Sequence, residues 1–224
     1  MANQDSATHV SILRLVLVPG LVTLAVTILR LVGELQHWSK LLFNPAAGGG
    51  GALVGIAWLA PVFGIYFAVK LAGAAARPAS LGKAIGFTLL GLVVMAGGGV
   101  LMGLSLAHGY AMLAGGMVLL GAAAVIPLVG WPALTKTLIA YGYAARIPVA
   151  IVMFFALRGN WGTHYDAPPP NLPEMAFWPK YLLIGLLPQL ILWIAFTVIA
   201  GSLFGIAAVA LFRREKQAAL APPQ

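Results

Sequence analysis

The chain has no cysteine among its 224 residues, and only 8% of those residues are charged. The absence of cysteine excludes disulfide bonds, thiolate zinc sites, iron–sulfur clusters and thiol catalysis. The shortage of charge excludes a water-soluble globular domain, in which about a quarter of the residues are charged. Because the chain is 61% hydrophobic and has a mean hydropathy of +0.97, it cannot hide its apolar surface in one water-soluble core. It therefore belongs in lipid.

Acidic side chains are especially scarce, with five Asp and Glu residues against 13 Lys and Arg and a net charge of +8. No acid lies in the middle of a hydrophobic run, where proton- and sodium-coupled carriers commonly place one, so coupled transport is disfavoured. The basic residues are scattered and form no stripe, which argues against nucleic acid as a partner. No Walker, HExxH, nucleophile-elbow or paired-carboxylate motif occurs, so we predict no enzyme activity, no metal ion and no cofactor.

Long hydrophobic runs are abundant, and a run needs about 20 residues to cross a membrane as a helix. Six qualify, at residues 12–35, 52–75, 83–107, 110–131, 133–157 and 182–212. We therefore predict an all-α, polytopic membrane protein with one bundle of six transmembrane helices over residues 12–212 and short tails at 1–11 and 213–224. The last run is too long for one upright span. Pro188 is expected to break it and to leave residues 181–187 near the interface.

The positive charges between the runs predict an orientation, because Lys and Arg are enriched in cytoplasmic segments. With the N-terminus inside, the cytoplasmic side holds eight basic residues: Arg14, Lys70, Arg77, Lys83, Lys136, Arg213, Arg214 and Lys216. The outer side holds four: Arg30, Lys40, Arg158 and Lys180. We therefore expect both termini in the cytoplasm. The Ala- and Gly-rich composition is typical of bacteria, so the expected location is a bacterial inner membrane.

Glycines recur at four-residue spacing, which lets helix backbones approach closely in lipid. The pairs are Gly51/Gly55, Gly82/Gly86, Gly99/Gly103 and Gly201/Gly205. We favour the interpretation that such pairs pack helices tightly, above all the third and fourth. The alternative is a flexible glycine hinge used in gating.

Arg146 is the most informative single residue, because it lies near the middle of the fifth run. An arginine at that depth costs several kcal/mol and usually faces the bundle interior, a water cavity or a partner. Tyr143 precedes it by one helical turn, and Pro148 follows and frees a backbone carbonyl. This polar site could hold a phosphate, a carboxylate or a lipid headgroup. The alternative is a structural ion pair, for which Glu34 is the first-choice partner.

The first run carries a second polar feature. Thr23, Thr27, Arg30 and Glu34 fall on one continuous face of a helix, and Arg30 and Glu34 are spaced to pair with each other. The threonine hydroxyls can also bond back to their own helix. We expect this face to point toward other helices, so Arg30 and Glu34 join Arg146 and Tyr143 as candidate substrate- or ion-binding residues.

The longest polar segment, residues 158–181, combines aromatic residues with five prolines. Proline lowers the conformational entropy that ordering must overcome, and Trp and Tyr favour the headgroup boundary. We therefore predict that Trp161, His164, Tyr165 and Asp166 fold back over the outer helix ends as an interaction site or a lid. His164 and Asp166 resemble half of a metal or acid–base site, although a plain interfacial loop is the favoured interpretation.

Three functions fit these features. The first is a non-enzymatic accessory or scaffold subunit that packs against lipids and other membrane proteins. The second is a small channel or uncoupled carrier for an anionic or amphipathic solute, with Arg146 as its selective charge. The third, a membrane enzyme acting on lipid at the outer face through His164 and Asp166, has the weakest support. A cavity that reaches Arg146 would favour the second over the first.

Overall fold

The computed structural model describes residues 11–170 and 172–219, and this part of the chain is helical without a strand. Of the predicted tails, residues 1–10 and 220–224 lie outside the described residues. The main helices are α1 (Ile12–Leu35), α2 (Leu59–Gly73), α3 (Leu81–His108), α4 (Tyr110–Val125), α5 (Pro132–Gly159), the single turn α6 (Phe177–Lys180) and α7 (Trp193–Ala219). A 3₁₀ turn, Ile126–Val129, follows α4, and two π-helical segments, Tyr181–Leu186 and Pro188–Leu192, join α6 to α7.

Five of the helical stretches in the described residues are long and apolar enough to cross a membrane. They are Ile12–Leu35, Leu81–Ser105, Tyr110–Val129, Pro132–Gly159 and Phe177–Phe212. Large apolar side chains cover their outer surfaces, for example Leu13, Val93 and Val118, each more than two-thirds exposed. Such a surface is stable in hydrocarbon and unstable in water. The chain is therefore a membrane protein with several spanning helices.

The second predicted span, residues 52–75, is shorter in the structure. Helix α2 begins only at Leu59 and has 15 residues, which corresponds to about 22 Å at 1.5 Å per residue. The residues before it turn back, because the N–H groups of Leu53 and Val54 donate to the carbonyls of Leu41 and Leu42. These backbone bonds, together with the preceding glycines, hold the segment outside the helix.

The predicted break at Pro188 is wrong. The helical path continues from Phe177 to Ala219, and Pro188 lies inside it between two π-helical segments. A proline removes one backbone donor, and the wider π turn, which bonds i to i+5, accommodates that loss without ending the helix. The extra residue in the turn also rotates Gln189 into the protein, where its side chain is buried.

Helix α3 pairs with α4, α2 pairs with α7, and α5 contacts both α1 and α7. The closest backbone approaches use glycine: Gly64 of α2 lies against the backbone of Gly201 in α7, and Gly98 of α3 lies against Gly116 in α4. The predicted close approach of the third and fourth helices is therefore present, but Gly99 and Gly103 do not make it. A Cβ built on either of those two residues meets nothing within 4 Å.

The two ends of the bundle are built differently. At one end, the Trp131 Nε1–H donates to the Ala76 carbonyl at 2.8 Å, which ties the α2–α3 connection to the start of α5. At the other end, α1 and α5 end beside the two longest connections, residues 36–58 and 160–176. We call this the loop end. Segments 36–58 and 160–176 contact each other there, and they form the entrance to the site described next.

Candidate ligand-binding cavity

The polar face of α1 points inward, as predicted. Thr23, Thr27, Arg30 and Glu34 are all buried. The Thr23 hydroxyl donates to the Pro19 carbonyl at 2.8 Å, so it must accept from the Tyr141 hydroxyl, which lies 2.8 Å away. This bond crosses from α1 to α5 and fixes the two helices side by side.

Arg30 and Glu34 form an ion pair at the loop end, with Nε 2.8 Å from Oε1. The Arg30 Nη2 group also donates to the carbonyls of Asn44 and Gly49, at 3.2 and 2.9 Å. Glu34 accepts from the backbone N–H of His164 at 2.8 Å, and its two oxygens lie 2.6 and 2.8 Å from His164 Nδ1. The Arg30–Glu34 ion pair therefore joins α1 to segment 36–58 through Arg30 and to segment 160–176 through Glu34.

The loop residues fold back over the helix ends as expected. Tyr165 is only 3% exposed, and its hydroxyl donates to the Thr27 carbonyl at 3.3 Å. Asp166 orders the turn before it by accepting from the backbone N–H groups of Gly162 and Thr163 at 2.9 and 2.8 Å. Trp161 remains 37% exposed and is not part of the cavity wall described below. The loop is thus ordered by bonds to α1 and by its own turn.

The protonation of the loop residues follows from this burial. Burial lowers the pKa of His164, an effect that the hydrogen bond to Glu34 opposes and the Arg30 charge reinforces. Burial likewise raises the pKa of Tyr165. His164 is therefore a neutral imidazole near pH 7, and because an ionised carboxylate only accepts, the proton sits on Nδ1. His164 and Asp166 do not act as a pair, since each is occupied by other partners.

Arg146 faces the protein interior and is 5% exposed. Its Nη1 group donates to Gln189 Oε1 at 3.4 Å, and its guanidinium lies over the Trp193 ring at 4.2 Å. Its Nε–H is buried and has no acceptor within the described residues. An arginine held by one long hydrogen bond and one aromatic face keeps an uncompensated charge.

Two expectations about Arg146 are corrected. Glu34 does not pair with it, because that carboxylate is already bound to Arg30 and His164 at the loop end. Tyr143 does not join the site either, since its side chain is 40% exposed on the outer surface of α5. Tyr141, two residues earlier, is the buried tyrosine of this helix and contacts α1.

A cavity of about 560 Å³ connects the loop end with Arg146. Its polar lining consists of Thr27, Arg30, His164, Tyr165, Arg146 and Gln189, and residues 48–51 and Pro169 border it at the loop end. Most of the remaining wall is apolar and includes Ile56, Trp58, Met102, Val149, Met153, Leu183, Ile184 and Trp193. Such a cavity has the size and the composition of sites for small amphipathic molecules, which range over roughly 300–1,000 Å³.

The sequence did not identify Gln189 and Trp193 as site residues. Gln189 is polar within a hydrophobic run, and a polar residue in a membrane helix often marks a site, so a signal was present. No feature of the sequence indicates the π-helical turn that brings Gln189 close to Arg146. Among the residues that the structure describes, no group of three or more His, Asp or Glu side chains could hold a metal ion.

Comparison with known proteins finds no matching family model, no matching curated protein and no matching solved structure. The function must therefore be argued from the cavity itself.

Proposed function

We propose that the protein is an uncoupled membrane carrier or channel for an anionic or amphipathic solute, which binds in the cavity between the loop end and Arg146. The observation that carries this proposal is the cavity, which joins the polar loops to a buried arginine without a carboxylate partner in the described part of the chain. A buried charge without a counterion is unfavourable, so an anion that enters the cavity supplies a counterion for Arg146.

The polar residues along the cavity support a path for an anion. Arg30 and the neutral His164 lie near the entrance, and Arg146 lies deeper. The Arg30 charge is matched by Glu34, so the first group that an anion meets attracts it only weakly, while Arg146 attracts it strongly. A solute bound this way in a membrane helix bundle has its charge on Arg146 and its apolar part along the methionines and isoleucines.

Anion flux into proteoliposomes tests the proposal. The probes are octanesulfonate, octyl phosphate and benzoate, which differ in charge and in the length of the apolar part. For at least one of them, Arg146→Gln should reduce uptake by about tenfold or more, because a hydrogen bond to a charged group contributes about 1.5–3 kcal/mol. Arg158→Gln is the matched control, because Arg158 lies over Phe154 and Phe177 and not in the cavity wall. Equal flux through wild type and Arg146→Gln for all three probes would exclude the carrier.

A specific observation also favours a second candidate, the accessory or scaffold subunit. Gly99 and Gly103 lie one turn apart on the exposed side of α3, and a Cβ built on either of them meets nothing within 4 Å. Small residues on an outer helix face permit close packing of another membrane helix. If α3 packs against a partner helix, Gly103→Leu should shrink the assembly measured in mild detergent and leave anion flux unchanged.

We further infer that the chain crosses the membrane six times with both termini in the cytoplasm of a bacterial cell. The charge distribution supports this orientation. The short α2 would then cross together with its flanking turns, and its Lys70 near the C-terminus would reach the interface along its aliphatic stem.

A further inference from the structure

The charges around the cavity limit the ligand to one negative charge. Arg30, Arg146 and His164 are the Arg and His residues of its wall. The Arg30 charge is matched by Glu34 at 2.8 Å. The neutral imidazole of His164 adds no charge, and its Nδ1–H donates to the same carboxylate. Arg146 therefore contributes the single uncompensated charge. A ligand with two negative charges would leave one of them without a counterion beside an apolar wall, and burying an unpaired charge is unfavourable.

The donors of Arg146 limit the shape of the ligand's head. Nη1 is directed to Gln189, and Trp193 covers one face of the guanidinium. Nε is buried and has no acceptor among the described residues. A guanidinium carries pairs of parallel N–H groups, whose spacing matches the two oxygens of a carboxylate or a sulfonate.

The walls limit the ligand's tail. Met102, Met153 and Ile184 belong to the apolar wall of the cavity. Methionine side chains are flexible and fit chains of different shape. A volume of about 560 Å³ accommodates one drug-sized molecule and is too small for a whole two-chain phospholipid.

We propose that the ligand is a single-chain amphipath with one negative charge, whose carboxylate or sulfonate binds the guanidinium of Arg146 and whose chain lies along Met102, Met153 and Ile184. This inference rests on the proposal that the cavity receives a solute, and it names the chemical class of that solute. A phosphate monoester is disfavoured because of its second charge, and an alcohol is disfavoured because it leaves the Arg146 charge unmatched.

Native mass spectrometry of the full chain in mild detergent counts bound ligand directly. The probes are octanesulfonate, octyl phosphate and octanol, compared at pH 8, where a phosphate monoester carries nearly two charges. We expect one saturable octanesulfonate per chain, with binding at least about tenfold tighter than that of the other two. Tighter or equal binding of octyl phosphate or of octanol would overturn the assignment, as would several equivalent octanesulfonates per chain.

Variants locate the head and the tail. Arg146→Gln should weaken octanesulfonate binding by about tenfold or more, and Arg158→Gln should leave it unchanged. A second measurement does not depend on the folding of Arg146→Gln. An octanesulfonate brominated on its chain should quench fluorescence from Trp193, and this component should be missing in Trp193→Phe. Equal quenching in wild type and Trp193→Phe would place the chain away from Trp193 and overturn the assigned position.

The two proposals fail in different ways. If octanesulfonate binding depends on Arg146 but no anion flux does, the carrier proposal is wrong and the proposed ligand class stands. If the flux of benzoate or octyl phosphate depends on Arg146 and octanesulfonate does not bind, the carrier proposal stands and the proposed ligand class is wrong.

Discussion

At the scale of single residues, Arg146 and Arg30 show two opposite ways of burying a charge. Arg30 has a carboxylate at 2.8 Å and two backbone carbonyls, so its donors are largely satisfied. Arg146 has one amide oxygen at 3.4 Å, an aromatic face and a buried Nε–H without an acceptor in the described residues. The ion pair of Arg30 stabilises the fold. Burial of Arg146 without a counterion lowers the stability of the fold and leaves the charge of Arg146 available to a ligand.

Replacing each arginine by methionine should therefore shift stability in opposite directions. Without added ligand, Arg146→Met should raise the free energy of unfolding by about 1–4 kcal/mol, as for other buried ions replaced by apolar residues. Arg30→Met should lower it by about 3–5 kcal/mol, because Glu34 loses its counterion. Thermal unfolding in mild detergent measures both. A loss of stability in Arg146→Met would show that the residue is structural and not reserved for a ligand.

His164 should make the loop end sensitive to acid. Because burial lowers the pKa of His164, the unfolded chain binds a proton more readily than the folded chain. The stabilisation is therefore complete above the ordinary pKa of about 6.5 and decreases as the pH falls below it toward the lowered folded pKa. The charged and titratable groups around the imidazole are Glu34, Arg30, Asp166 and Tyr165.

Thermal unfolding between pH 8 and pH 5 checks this prediction. Wild type should lose stability across the range, and His164→Gln, which keeps a side-chain donor, should show a flatter profile. A profile of the same slope in both proteins would assign the pH dependence to another group.

At the scale of helices, glycine decides which faces touch. A Cβ on Gly64 would collide with the backbone of Gly201, a group that cannot move away like a flexible side chain. A Cβ on Gly99 meets nothing within 4 Å. The two glycines therefore have different roles although both lie in apolar helices.

Replacing Gly64 and Gly99 by alanine distinguishes a glycine at a helix contact from a glycine on an exposed helix face. Gly64→Ala should destabilise the protein by about 1–3 kcal/mol, since overpacking forces α2 and α7 apart. Gly99→Ala should be neutral or stabilising by up to about 1 kcal/mol, because alanine has the higher helix propensity. Unfolding in detergent compares the two, and equal effects would contradict the contact between α2 and α7.

At the scale of the whole molecule, α2 decides the number of membrane crossings. Its 15 residues extend about 22 Å, which is less than the roughly 30 Å of a hydrocarbon core. Its close pairing with α7 along glycine contacts favours a crossing.

Single cysteines measure the crossing directly, because the natural chain has none. Ser39→Cys and Ala79→Cys lie in exposed positions on either side of α2. With six crossings and the N-terminus inside, an impermeant thiol reagent should label Ser39→Cys from outside and Ala79→Cys only after the membrane is opened. Labelling of both from one side would leave α2 on the surface.

The candidate site was predicted in part. The inward face of α1 and the folded loop at His164 and Tyr165 were predicted correctly, because spacing fixes a helix face and prolines favour an ordered loop. The partner of Arg146 was predicted wrongly, because four-residue spacing indicates only the Arg30–Glu34 pair and does not show whether His164 or Arg146 also approaches Glu34. Only the distances between folded segments select among them.

The sequence by itself determined that this is a helical membrane protein, and it located Arg146 within a span, since apolar length and charge depth are local properties. The tertiary structure decided that α2 begins at Leu59, that the helix continues through Pro188 in π-helical turns and that Tyr143 faces outward. It also decided that Gln189 and Trp193 meet Arg146 at one end of a cavity. These features depend on which helices become neighbours, and that choice is made by packing free energy summed over many residues.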